Sequence, residues 1–198
     1  MTRLVVFILT IAITAVPVNV IAQSGRALGP ASYYPLAKGN KWRYQVKRAG
    51  EKGISTTEWR VTRAEKTKEG TTYQVVPFPG QADDEGMSLR FTRRGLEEMS
   101  TGTVVLKAPI SNGDVWSSSG PNRRTFRMLS TGKACQIGSI RSEACIVIED
   151  RDDALSFRTV TTFAIGIGPI AYRYYAKGKS SEVPIQSVEL ISYDLAKE

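Results

Sequence analysis

The sequence predicts an all-β fold, an antiparallel sandwich or an open barrel, and an internal echo points to two similar β-halves as its plan. Three observations carry that prediction. Short segments alternate apolar and polar residues with period two and are rich in Val, Ile, Thr, Tyr and Phe, the pattern of half-buried strands. Glycines at 50, 70, 95, 102, 113, 132 and 138, among others, punctuate those segments, as turns require. No apolar stripe of helical period runs longer than two turns, and frequent turns between short strands favour sandwiches and barrels.

In chain order, residues 1–22 read as a secretory signal peptide. Arg3 supplies a positive start, Leu4 to Val16 an apolar core, Pro17 a breaker, and Val20-Ile21-Ala22 a compact cleavage site. The core is shorter than the roughly 20 residues a spanning helix needs. No lipobox cysteine follows it. Cleavage leaves a chain that is not an integral membrane protein, placed in the periplasm or secreted. Residues 23–32, rich in Gly, Ala, Ser and Pro, read as a flexible leader, and 33–198 as one β-rich domain. Within it, Trp42-Tyr44-Val46, Trp59-Val61, Tyr73-Val75, Leu89-Phe91, Phe126-Met128 and Ile146-Ile148 mark strand faces. Segments 157–165, 170–176 and 186–193 complete the series.

Composition narrows the chemistry. The chain contains no histidine, which removes the commonest general base, the Ser-His and Cys-His dyads and the commonest zinc ligand. No catalytic residue, metal set or cofactor fingerprint emerges. The net charge of +8 suits an anionic lipid or envelope polymer as partner, or merely solubility; export argues against nucleic acid. Cys135 and Cys145 form an even pair in an oxidising compartment, spaced for a hairpin turning near Gly138-Ser139, and predict one disulfide. Arg90, Arg93, Arg94, Arg123, Arg124 and Arg127 would form a face for anionic ligands if their two strands are neighbours. The clusters Glu149-Asp150-Arg151-Asp152-Asp153 and Asp83-Asp84-Glu85 lack the spacing of a calcium loop and read as solvated turns.

The internal echo is Pro35-Leu36-Ala37-Lys38-Gly39-Asn40-Lys41-Trp42 against Pro109-Ile110-Ser111-Asn112-Gly113-Asp114-Val115-Trp116. In each, Gly39 or Gly113 makes a tight turn, and Trp42 or Trp116 enters the following strand. The pair reads as two core corners, or as two tryptophan-floored pockets.

The block Tyr33-Tyr34-Pro35-Leu36, then Gly39-Asn40-Lys41-Trp42-Arg43-Tyr44, resembles the opening of a broad group of uncharacterised bacterial secreted proteins and lipoproteins. Pro109 to Trp116, Cys145 and Phe163-Ala164-Ile165-Gly166-Ile167-Gly168 stand where that group carries its later motifs. The resemblance implies a β-rich envelope protein and no reaction.

Two functional readings follow, with a third behind them. The chain is a non-enzymatic envelope module that binds or scaffolds another envelope component, or it carries a lipid or other apolar ligand inside an open barrel. A carboxylate hydrolase would need acids facing each other across a cleft. The interior separates these readings: a filled one suits the module, and an apolar cavity of several hundred Å³ suits the carrier.

Overall fold

The structure is a computed structural model and describes residues 28–77, 86–118, 123–152, 157–176 and 183–196. The signal-peptide segment lies outside these residues, as do 23–27 and the acidic cluster at 83–85. A helical turn, α1 (Pro30–Tyr33), precedes twelve strands. They are β1 (Lys41–Arg48), β2 (Ile54–Thr67), β3 (Gly70–Pro77), β4 (Met87–Thr92), β5 (Gly95–Glu98) and β6 (Thr103–Lys107). The second half is β7 (Val115–Ser117), β8 (Arg124–Ile137), β9 (Ile140–Asp152), β10 (Phe157–Ala164), β11 (Gly168–Ala176) and β12 (Gln186–Asp194).

All twelve belong to one antiparallel sheet in the order β6-β5-β4-β3-β2-β1-β12-β11-β10-β9-β8-β7. The sheet curls into a nearly closed barrel, which decides between the two architectures the sequence left open. Each half is a meander, and the halves meet where β1 pairs with β12 from Lys41↔Asp194 to Arg48↔Gln186. Alternation on β1 explains the burial: Trp42, Tyr44 and Val46 are buried while Lys41, Arg43 and Lys47 are exposed.

The other two edges, β6 and β7, share no ladder among the described residues. Side chains bridge them instead. Trp116 Nε1 of β7 donates to Val104 O of β6 at 2.7 Å. Lys107 Nζ at the end of β6 meets Asp114 Oδ2 at 2.9 Å.

The sequence echo has a structural counterpart. Gly39 N bonds Val61 O, Asn40 N bonds Ala37 O, and Val61 N bonds Asn40 O. In the second half Gly113 N bonds Met128 O, Asp114 N bonds Ser111 O, and Met128 N bonds Asp114 O. Gly39 and Gly113 have φ of 97° and 81°, a region that L side chains rarely adopt. The same corner therefore launches each half.

Strands β5 and β6, residues 95–98 and 103–107, are not among those the sequence pattern predicts. Gly-Leu-Glu-Glu of β5 carries two carboxylates and does not read as a strand. It is one because Glu97, 7% exposed, is held by Arg94 Nε at 3.0 Å, Arg94 Nη2 at 2.8 Å and the Thr92 hydroxyl. These partners lower the Glu97 pKa below the usual carboxylate range, with the Arg94 hydrogen bonds the largest cause, against burial that raises it.

Candidate functional site: the barrel interior

One end of the barrel is covered by the segment that enters it. The last three residues of the expected leader, 30–32, form α1 together with Tyr33; Pro30 and Tyr33 are buried, and Gly166 N donates to Ser32 O at 2.7 Å. Tyr34 follows directly and packs edge-on against Trp42, ring centroids 5.5 Å apart, and against Phe163 at 5.9 Å. Asn40 staples this end shut: its Nδ2 donates to Pro35 O at 2.7 Å and its Oδ1 accepts from Ala196 N at 2.7 Å.

Above this cover the barrel is not filled. A cavity of about 360 Å³ runs along its interior, within the roughly 300–1,000 Å³ of small-molecule sites. Its inner part is apolar and aromatic, with Leu89 of β4, Phe163 of β10, Trp59 of β2 and Tyr172 of β11 in the wall. Trp59 and Tyr172 rings lie 5.2 Å apart. At the far ends of β8 and β9, Arg124, Asp150 and Asp152 make the wall polar, and Glu98 of β5 joins the lining. Arg124 Nη2 bonds Asp150 Oδ2. Its guanidinium also lies 5.1 Å from the Phe126 ring. The Arg124 side chain is 33% exposed and Asp150 16%, so the interior grades from a dry floor to a solvent-touched rim.

Three tyrosines stand at or behind the cavity wall, Tyr34 and Tyr172 in its lining and Tyr44 fully buried behind it. Tyr172 hydrogen-bonds to Tyr44, and Tyr44 Oη donates to Pro169 O at 2.9 Å. Burial is the first cause pushing Tyr34, Tyr44 and Tyr172 above the usual tyrosine range. All three stay neutral phenols at any physiological pH.

The residues singled out in the sequence fall into different places. Trp42 is fully buried and Nε1 donates to Ile167 O at 2.6 Å. Trp116 stacks on Phe126, centroids 5.4 Å apart. Neither lines the cavity; they are core corners, and the tryptophan in the cavity wall is Trp59, which the repeat does not contain. Sulfur bridges Cys135 to Cys145 across the β8–β9 hairpin, with Cα atoms 6.0 Å apart.

The six arginines do not meet on one face. Arg90, Arg93 and Arg94 belong to β4 and the turn after it, Arg123, Arg124 and Arg127 to β8 and its approach. In the barrel β5, β6 and β7 lie between them. Arg90 pairs with Glu69 at 2.6 Å and Arg94 with Glu97, while Arg124 faces inward. The acids of β9 are split by the same alternation. Asp150 and Asp152 line the cavity, whereas Glu149 takes Arg151 at 2.9 Å and Arg158 at 3.1 Å. Among the described residues no three Asp, Glu, Cys or His side chains are grouped to hold a metal ion.

No protein-family model matches the chain, and no curated protein does. Two solved structures resemble it. One, from Parabacteroides distasonis, is described as a "putative lipoprotein"; it is 11% identical with a TM-score of 0.40, over 82% of this chain and 98% of that one. The other, from Bacteroides fragilis, is a "putative exported protein with YmcC-like fold"; it is 11% identical with a TM-score of 0.44, over 82% of this chain and 99% of that one. Neither description names a ligand or an activity.

Proposed function

We propose that this chain is an exported, non-enzymatic binding barrel that carries an apolar or amphipathic small molecule in its interior. The observation that carries this reading is the 360 Å³ cavity with an aromatic floor and a polar rim. Tight side-chain packing is the rule inside proteins, so a cavity of this size inside a small domain has to be accounted for. Its gradient suits a ligand whose apolar body lies inside and whose polar end reaches Arg124 and Asp150.

The exterior supports a water-facing barrel. Arg43–Glu58, Arg60–Glu58, Arg63–Glu65 and Arg173–Glu189 pairs run around the outside, where a lipid-facing barrel carries an apolar band. Among the described residues no helix is long and apolar enough to cross a membrane. Export rests on the signal-peptide reading of residues 1–22. The scaffold reading is the weaker of the two, because it gives the cavity no role.

Native mass spectrometry of the mature protein purified from its own envelope tests the proposal. A discrete added mass that solvent extraction removes is expected. A bare mass before extraction, with the cavity closed to apolar dyes, would sink the carrier reading and return the scaffold to first place.

A further inference from the structure

The cavity wall is opposite in sign to the protein around it. The chain as a whole carries +8, yet the described lining of the cavity holds three carboxylates, Glu98, Asp150 and Asp152, against one cation, Arg124. The acids stand on β5 and β9 and are not grouped to hold a metal ion. Arg124 is engaged: its Nε and Nη2 both meet the Asp150 carboxylate, so that pair leaves little net charge. Glu98 differs. Its partners among the described residues are the Ser100 and Thr101 hydroxyls rather than a cation, and a hydroxyl that donates a hydrogen bond leaves the carboxylate charge in place. With Asp150 and Arg124 cancelling, Glu98 already makes the wall negative, whatever Asp152 adds. The field reaches the neighbouring phenols: after burial, the charge of Asp150 is the second cause raising the Tyr174 pKa. Trp59, Phe163, Tyr172 and Tyr174 stand in the same wall, and aromatic ring faces attract cations rather than anions.

We infer that the ligand of this cavity is a cationic amphiphile, its amine drawn to the carboxylates of the wall and its hydrocarbon part lying among the aromatic residues. This rests on the carrier reading and adds the ligand's charge to it. The two other signs fare worse. An anionic amphiphile, which the net charge of the whole protein would suggest, meets an arginine already engaged and a carboxylate of its own sign. A neutral one takes water from the Glu98 carboxylate and returns no counter-charge. A cation supplies that charge.

The test uses the whole mature protein at neutral pH, with the dye N-phenyl-1-naphthylamine displaced by decyltrimethylammonium, decanoate or 1-decanol, each below its aggregation concentration. These competitors share one chain and differ in the charge of the head. The cation is expected to displace the dye at the lowest concentration and the anion at the highest, against the overall charge of the protein. In Glu98→Gln the preference for the cation over the alcohol should fall roughly two- to fivefold, the scale of one solvent-touched ion pair, with the alcohol's affinity unchanged. Tighter binding of decanoate than of decyltrimethylammonium would overturn the inference, hand the head group to Arg124 and leave the carrier reading standing. An unchanged cation-to-alcohol ratio in Glu98→Gln would overturn it as well. So would a fall of all three affinities together with the melting temperature, which would make Glu98 a structural residue of the turn after β5. If the dye fails to bind, or no competitor displaces it, the carrier reading fails and takes this inference with it.

Discussion

The barrel is joined to itself in two places, and the two joints differ. At the first, β1 and β12 exchange a full antiparallel ladder. At the second, β6 and β7 are bridged by an indole and an ion pair. Both joints lie where one six-stranded half meets the other, and the same glycine corner launches β1 and β7. The difference arises from strand length. Strand β1 has eight residues and β12 nine, whereas β6 has five and β7 three. A short edge strand offers few backbone partners, so side chains take over the closure. One closure is cooperative and buried, the other local and half-exposed.

The two tryptophans give the sharpest contrast. Trp42→Ala empties a fully buried site in the laddered joint and should cost about 3–5 kcal/mol, read by urea denaturation. Trp116→Ala should cost less, about 2–3 kcal/mol, because the indole is only half-buried. It should also speed hydrogen exchange in β6 and β7 while sparing β1 and β12. Equal losses, or faster exchange at β1, would show that the joints are energetically alike.

Next in size is the disulfide that reinforces the hairpin beside β7. Its ten-residue separation makes replacing Cys135 and Cys145 with serine worth about 2–3 kcal/mol on the chain-entropy account. Combined with Trp116→Ala, the loss should exceed the sum if the hairpin backs up the weak joint.

Extremes of pH should strike opposite sides. Tyr34, Tyr44 and Tyr172 are held above their unfolded values of about 10. The unfolded chain therefore releases protons first, and their stability contribution, complete below pH 10, is lost as pH rises above it. Phenolate absorbance should appear together with unfolding. Glu97, beside the open joint, has a lowered pKa. Its contribution is present above the unfolded value near 4.3 and is lost as pH falls through the folded one. Glu97→Gln should flatten the acid limb by less than one proton and leave the alkaline limb untouched.

The smallest effect belongs to Lys107→Met, which removes the partly exposed bridge to Asp114. A loss under about 1 kcal/mol is expected. A larger one would mean that the ion pair, not Trp116, closes the barrel.

How much of this was legible in the sequence depends on whether the signal was local. The alternation of Trp42, Tyr44 and Val46 showed β1, the turn at Gly138-Ser139 placed the cysteine hairpin, and the repeated corner pointed to two halves. The strand at 95–98 was hidden because its pattern is completed by a side chain, Arg94, rather than by apolar residues. The interior was hidden for a different reason. Which residues face inward depends on register, and bulges at Arg43/Tyr44 and Val61/Arg63 shift it. Arg124 read as surface charge and faces the lumen. Tyr34 read as part of a family-like opening block, and its position under the barrel depends on contacts with Phe163 and Gly166-side backbone far along the chain.

The laddered joint also orders events in time. Its partners, such as Trp42 and Tyr193, lie at opposite ends of the chain, and contacts of such separation form slowly. Until the last strand emerges, β1 waits with a bare edge, the condition under which strands of different molecules pair with each other. Lys41, Arg43, Lys47 and Arg48 along that strand are all exposed. Arg43 and Arg48 pair with Glu58 and Glu51, whereas Lys41 and Lys47 have no acidic partner among the described residues. Positive charge along an edge disfavours its pairing with a second copy.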